Sequence, residues 1–305
     1  MIVFGTEAIA QSACLEGAVI AFGVFDGVHT GHQYLFEKAR ARAEALQAPF
    51  VILSFDKDPD ELFRGDVMIK ICTNEQRYAL LVAQKPACVA LLSFTREFAS
   101  IQPLDFLERV FGNTTPRCVF VGEDFHFGAK GAGSVADMQA WGSTHGMEVC
   151  PVALLQAQEK TVCATRIRAL LQEGKIQEAT ELLGHHFVLE GKVYPGRHEG
   201  AGFGFKTANL FVAKQQFTVA EGVYAGYAWV NNTRYKAAIS MGVSPTFDAA
   251  KANCEVHILD FDGDIYGEEI AVEFKEYLRP MIKFDSVDEL IATVMSNIQY
   301  VRDNL

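Results

Sequence analysis

The chain has 305 residues, half of them hydrophobic and 21% charged, with a formal net charge of −11. This composition excludes disorder and, at about 150 residues per domain, provides for two packed cores. It also lacks a Lys/Arg-rich run that could face a polyanion, which sets nucleic acid aside as a partner, while small phosphates remain open because a few backbone amides and nearby cations decide their binding.

The opening MIVFGTEAIAQSACLEGAVI has no basic leader region and no continuous apolar stretch, and no later run reaches the roughly 18 apolar residues of a membrane span. The expectation is a cytoplasmic chain without a membrane partner. From residue 18 to about 155, short apolar runs alternate with helical patterns: AVIAF (18–22), FVILS (50–54), CVALL (88–92), CVFVG (118–122) and MEVCPV (147–152). This is the pattern of βαβ units around a parallel sheet buried on both faces. TRIRALLQEG and KIQEATELLG then predict two helices, each closed by a glycine.

Beyond Gly184 apolar and polar residues alternate, as in GVYAGYAWV (222–230) and RYKAAISMGV (234–243), with NN and DGD as turn signals. That predicts antiparallel strands closed into a small barrel. SVDELIATVMSNIQYVRDNL predicts a Ser-capped helix with an apolar stripe at 287, 290, 291, 294, 298 and 301. The expected domains are 1–184 and 185–305. The seven cysteines, at 14, 72, 88, 118, 150, 163 and 254, show no CxxC spacing and no adjacent His pair, so reduced thiols without structural zinc are expected.

In AFGVFDGVHTGHQYLF a strand passes through a Gly-rich turn into a helix, the arrangement that offers an anion the positive end of a helix. His29 and His32 are three apart, so both rings can face one point there and stabilise charge developing on an α-phosphate as pyrophosphate leaves. GVFDGVHTGH resembles the HxGH signature of nucleotidyltransferases, in the form found in the FMN adenylyltransferase module of bacterial bifunctional riboflavin kinase/FAD synthetases.

The resemblance implies a doubly wound, Rossmann-like α/β domain with Gly23, Phe25, Asp26, Gly27 and Gly31 around ATP. It further implies that VGEDFHFGAKGAG (121–133) is a flavin-side loop carrying Asp124, Phe125, Phe127 and Gly128, and that TVCATRIRALLQEG (161–174) sets Thr165 and Arg168 on ATP phosphates. Phe125 and Phe127 also read as core residues after a strand. Arginine suits phosphate because its planar donor fork stays charged. The chain departs from the family's usual residues at Asp58, where Lys57-Asp58-Pro59 replaces Pro-His-Pro, and at Cys163 and Ala164, which replace two serines.

The second half carries GFGFKTANLFV (202–212), similar to the Gly-Phe-Pro-Thr-Ala-Asn signature of the family's riboflavin kinase barrel, with Lys206 in place of proline. By that resemblance Thr207 and Asn209 are ligands of Mg²⁺ on ATP. CEVHILDFDGDIYGEEIAVEF (254–274) places the catalytic base on Glu255, to take the proton from the ribityl 5′-hydroxyl of riboflavin as it attacks the γ-phosphate. SMGVSPTF (240–247) and YLRPMIKF (277–284) also resemble family segments, and the second makes Arg279 a candidate flavin contact. In PGRHEGAG, Glu199 and Ala201 stand where arginines are common, leaving Arg197 and Lys206 as nearby cations.

The reading is flavin-nucleotide synthesis: riboflavin and ATP give FMN on the barrel, FMN and ATP give FAD on the α/β domain, and Mg²⁺ serves both. The departures motivate an alternative, a paralogue that binds flavin or nucleotide and has lost one or both reactions. A third reading, a nucleotidyltransferase for a cytidylyl or pantetheine substrate joined to an unrelated β domain, is opposed by KTAN and CEVHILDF.

Overall fold

The computed structural model describes residues 1–6, 9, 13–64, 70–195, 206–212, 216–242 and 253–305. Arg197, Glu199, Ala201, the GFGF string at 202–205 and positions 243–247 of SMGVSPTF lie outside the described residues. Contacts divide the chain into two units, Met1–Ala164 and Thr165–Leu305.

The first unit is built on a six-stranded parallel sheet. In spatial order its strands are β1 (Ile2–Phe4), β4 (Cys88–Leu92), β3 (Phe50–Phe55), β2 (Val19–Phe22), β5 (Cys118–Gly122) and β6 (Glu148–Val152). Alternate residues of the central strands feed two separate cores, since side chains along a strand point to opposite faces. Ile20, Phe22, Val51 and Leu53 join Phe106, Phe111 and Trp141 on one face, whereas Val19, Ala21 and Ile52 join Phe36 and Leu81 on the other. The helices are α1 (Thr30–Leu46), α2 (Pro59–Arg64), α3 (Asn74–Ala83), α4 (Pro103–Phe111) and α5 (Val135–His145). The strand order reverses at β2, which has β3 on one side and β5 on the other. In open α/β sheets such a switch point opens a ligand crevice at the carboxyl ends of the strands. HTGH follows β2 there, and the loop 121–133 follows β5.

A two-residue hairpin, β7 (Gln156–Ala157) with β8 (Lys160–Thr161), ends this unit. In the second unit α6 (Ala164–Gln172) and α7 (Ile176–Leu183) precede a closed antiparallel barrel. Its strands are β9 (Phe187–Tyr194), β10 (Ala208–Val212), β11 (Gly222–Val230), β12 (Thr233–Gly242), β13 (Asn253–Ile258) and β14 (Glu269–Arg279), in the spatial order β10-β13-β12-β11-β14-β9. Asn231 and Asn232, both at positive φ, form the two-residue turn between β11 and β12, the geometry that a twisted hairpin requires.

The contact division falls at 164/165, not at the expected 184/185. The cause is packing: α7 lies on β9 and β14, and the amide of Ala220 donates to Leu171 O at 3.0 Å. The final helix, α8 (Val287–Asn304), is capped by Ser286 Oγ accepting from the Glu289 amide at 3.2 Å, and buries Ile298 and Val301 with Ala225 and Leu259.

Candidate active sites

The turn between β2 and α1 holds a strained backbone. Phe25, Gly27 and Val28 all have positive φ, at 63°, 70° and 42°. A β-branched valine in that region persists only where its surroundings hold it. Here residues 71 and 72 do so: the Asp26 carboxylate accepts the Ile71 amide at 3.1 Å, and the Gly27 amide donates to Cys72 Sγ at 3.3 Å. Burial and the Asp26 charge push the Cys72 thiol up to about 12, so it remains a neutral thiol beneath the loop.

His29 occupies the N-cap position of α1, yet its side chain makes no cap bond. Its ring stacks on His32 instead, with centroids 3.6 Å apart and planes 20° apart, while Phe25 meets His32 edge-on at 5.2 Å. Gly31 allows this arrangement, because a Cβ there would stand 3.1 Å from the His29 ring and 3.4 Å from Val162 O. Gly23, directly after β2, lies under the Phe25 ring in the same way. Burial first, and then the charge of His29, hold His32 well below the usual imidazole range. Its Nδ1 is buried without a hydrogen-bond partner among the described residues. Gly23, Phe25, Asp26, Gly27, His29, Gly31 and His32 thus form one compact constellation at the positive end of α1.

Beneath it lies a residue with no motif to mark it. Arg77 on α3 is 2% exposed. It donates to Val24 O (3.0 Å), Ser54 Oγ (2.9 Å) and Phe55 O (2.7 Å), joining the carboxyl ends of β2 and β3. In sequence it reads as an ordinary solvated charge on a helix. Asp58 is also buried; its amide donates to Glu61 Oε1 at 2.9 Å, and Glu61 is paired with buried Lys70.

The loop after β5 divides the expected flavin contacts. Asp124 is exposed, and Phe125 is half-buried with its ring 5.0 Å from Phe22. Phe127 is committed to the core, 4% exposed, packed 5.4 Å from Phe106 and paired by its backbone with Gly133. The core alternative is the better description of that ring. Gly128, at φ 72°, carries the chain past Pro103. Cys163 and Ala164 follow Val162, whose carbonyl faces Gly31. Thr165 and Arg168 open α6 in the second unit, Arg168 Nη2 lying 3.5 Å from Thr165 Oγ1.

On the barrel, strand register assembles a second constellation. Asn209 pairs with Tyr194 on one side and with Glu255 on the other, and Glu255 pairs in turn with Ser240. Paired residues share a sheet face, so Tyr194, Asn209, Glu255 and Ser240 form one row across four strands. Their neighbours Val193, Leu210, Cys254, Val256 and Ile239 are buried and point the opposite way, which puts the row on the outer face. Its field is felt locally: burial and then Glu255 raise the Tyr194 hydroxyl, and the same two causes push the Cys254 thiol up to about 12. Asn209 is 8% exposed. Thr207 lies two residues before it, and the Lys206 carbonyl next to Thr207 is bonded to His257 Nδ1 at 2.7 Å.

Lys206, a candidate compensating cation, points its ammonium at exposed Asp262 (2.9 Å) and belongs to a surface ion pair. Arg279 ends β14 at the level of Val223, the partner of Ser240, so β11 and β12 separate it from Glu255. Burial lowers its guanidinium below the usual range, and Nη1 donates to Pro280 O at 3.1 Å. Tyr194 and Ser240 were not anticipated; outward polar residues in an alternating strand give no signal until register aligns them.

Residues 11–166 match the family FAD synthetase, and residues 183–305 match the family riboflavin kinase. The chain is 31% identical over 293 residues to a bifunctional riboflavin kinase/FMN adenylyltransferase of Listeria monocytogenes, covering 93% of this chain and 91% of that protein. It is also 31% identical to the Haemophilus influenzae protein of the same description, covering 93% of each. A crystal structure from Streptococcus pneumoniae described as a macrolide-efflux protein superposes with a TM-score of 0.85 at 30% identity, over 95% of both chains. Among the described residues of the present chain, no helix is long and apolar enough to cross a membrane.

Proposed function

For a chain that belongs to the bifunctional riboflavin kinase/FMN adenylyltransferase family, and so makes FMN from riboflavin and FAD from FMN with ATP, we propose a division of labour between the two constellations. The adenylyl step uses the stacked pair His29 and His32. The kinase step uses the row on the barrel, with Glu255 as base. The observation that carries the assignment is the register that sets Asn209 directly against Glu255.

In the first unit, phosphate is received at the amino end of α1, where backbone amides and the helix dipole favour an anion. His32 is neutral at pH 7 because it is buried, and its Nδ1 lacks a protein partner among the described residues. It is therefore poised to hydrogen-bond a phosphoryl oxygen on which charge grows as pyrophosphate departs. His29 fixes the plane of His32 by stacking, and Arg77 holds the strand ends from below. Thr165 and Arg168 are assigned to ATP phosphates, with Asp124, Phe125 and Gly128 on the flavin side. The loss of hydroxyls at Cys163 and Ala164 removes hydrogen bonds worth about 0.5–1.5 kcal/mol each, which slows a reaction without abolishing it.

On the barrel, Asn209 and Thr207 offer neutral oxygen donors beside the Glu255 carboxylate, a donor set that fits a hard divalent cation. They would hold Mg²⁺, which neutralises charge on the ATP phosphates. Glu255 accepts the 5′-hydroxyl proton of riboflavin as that oxygen attacks the γ-phosphate, and Ser240 and Tyr194 flank it in the row. Arg279 is assigned to the flavin at the end of β14. The catalytic modules are taken to meet at 184/185, although α6 and α7 pack with the barrel.

Purified protein incubated with riboflavin, ATP and Mg²⁺, and in parallel with FMN, ATP and Mg²⁺, tests the reading when the flavins are separated by chromatography. FAD from riboflavin is expected. FMN alone would show that Asp58, Cys163 and Ala164 had silenced the first unit, and FAD only from supplied FMN would indict the barrel.

A further inference from the structure

Cys118, Glu148 and Cys150 are 30 and 32 residues apart in the chain, yet parallel pairing makes them neighbours. Cys118 opens β5 and lies opposite Glu148, which opens β6, and Cys150 is two residues further along β6 on the same face. One ligand atom from each lies within 4.8 Å of the others. Cys118 is fully buried, Cys150 half-buried, and Glu148 exposed, so the group is closed beneath and open at its rim. Arg42 on α1 reaches in from the helix: Nη2 donates to Glu148 Oε2 at 2.8 Å, and the guanidinium also bonds Cys118.

We propose that Cys118, Cys150 and Glu148 form a binding site for a thiophilic divalent cation of the Zn²⁺ class. Zn²⁺ takes Cys sulfur at about 2.3 Å and carboxylate oxygen at about 2.0–2.2 Å in a tetrahedron, so ligand atoms need stand only about 3.5–3.8 Å apart, and small rotamer changes close the site. Two thiolates and a carboxylate bring three negative charges, which the dication and Arg42 together balance. A carboxylate has two oxygens, so Glu148 can bind metal through one and keep Arg42 on the other, the outer-shell arrangement that fixes metal ligands. Three protein ligands leave the fourth position to solvent at the rim.

A second thiol pair sharpens the assignment. Cys14 and Cys88 are also hydrogen-bonded to each other, but among the described residues only the Cys118 group gathers three potential ligands. The site lies at the amino end of the sheet, since Cys118 is level with Val19 at the start of β2, whereas HTGH follows the end of β2. About one strand length, roughly 13 Å, separates the two ends. The bound ion would tie β5 and β6 to the helix that presents His32.

The full chain, reduced and stripped with a chelator, is titrated with Co²⁺ in the presence of excess Mg²⁺, and the near-ultraviolet thiolate-to-cobalt charge-transfer band and the visible bands of tetrahedral Co²⁺ are recorded. One Co²⁺ per chain is expected, displaced by Zn²⁺ and not by Mg²⁺. Cys150→Ser should abolish the charge-transfer band, Glu148→Gln should weaken binding at least about tenfold, and Cys88→Ser should leave both unchanged. FAD formation from FMN, which should persist in Cys150→Ser and Glu148→Gln, verifies that these variants fold. The proposal is overturned if wild-type protein with seven titratable thiols gives no such band, if the band survives Cys150→Ser, or if Cys118 and Cys150 remain disulfide-linked under reductant.

Discussion

The two proposed catalytic constellations are built in opposite ways. Around His32 the functional groups are contiguous in sequence, crowded into a loop held at positive φ, and buried. Around Glu255 they come from four strands of ordinary extended backbone, level with one another only because the barrel register aligns them, and the row faces outward. The loop therefore depends on what braces it, namely the Asp26 bonds and Arg77, whereas the row depends on the register of the whole barrel. A change near the loop should act through position, and a change in the row through chemistry.

The largest effect should come from Glu255→Gln, which keeps the shape of the row and removes the proposed base. FMN formation is expected to fall about 10²–10⁴-fold, while FAD formation from supplied FMN is unchanged. The reciprocal experiment is His32→Ala, expected to lower FAD formation about 10²–10³-fold and to spare FMN formation. Following both products by chromatography in each variant decides the matter, because parallel loss of both reactions in either one would contradict independent sites.

Next in size is Arg77→Leu. It leaves Phe55 O without its donor and removes the clamp between β2 and β3, at a cost of about 3 kcal/mol from buried carbonyls left unsatisfied. The two activities, each followed against urea, report the consequence. The midpoint for FAD formation should drop while that for FMN formation stays in place. Equal drops would mean that the two units melt together and that the contrast between loop and row does not extend to stability.

Much of this was readable in the chain, and the omissions have physical causes. The five apolar runs became β2 to β6 nearly residue for residue, because a doubly covered parallel strand needs unbroken hydrophobicity. The edge strand β1 is only three residues long, too short for any periodicity to reveal it. The HTGH constellation was legible since its residues lie within one turn. Asn209 and Glu255 were assigned by resemblance, and Tyr194 and Ser240 stand level with them only through register. Arg77 and Cys118–Glu148–Cys150 escaped for the same reason, being tertiary groups assembled from residues that look unremarkable one at a time. Phe127 shows the converse: the resemblance set it beside flavin and its place after a strand read as core, and its ring lies in the core.

The smallest effect concerns pH and separates a buried loop from a row that is only partly buried. His32 titrates well below the usual imidazole range because burial, and then His29, disfavour its charge. The unfolded chain takes up this proton near pH 6.5, and the folded one does not. As pH falls below about 6.5 the unfolded state therefore binds more protons, and stability falls with it, by up to about 1.4 kcal/mol per pH unit until the folded group itself titrates. Above that pH the penalty vanishes. Urea midpoints for FAD formation between pH 5 and 7.5 should show this slope, and at pH 5 the loop should fail before the barrel does. His186, whose imidazole is also lowered by burial, contributes a smaller slope of the same sign in the second unit. In His32→Gln the slope for the first unit should flatten, with folding followed by tryptophan fluorescence of Trp141 since activity is reduced. An unchanged slope would assign the acid sensitivity to other groups and would mean that His32 is already solvated and charged.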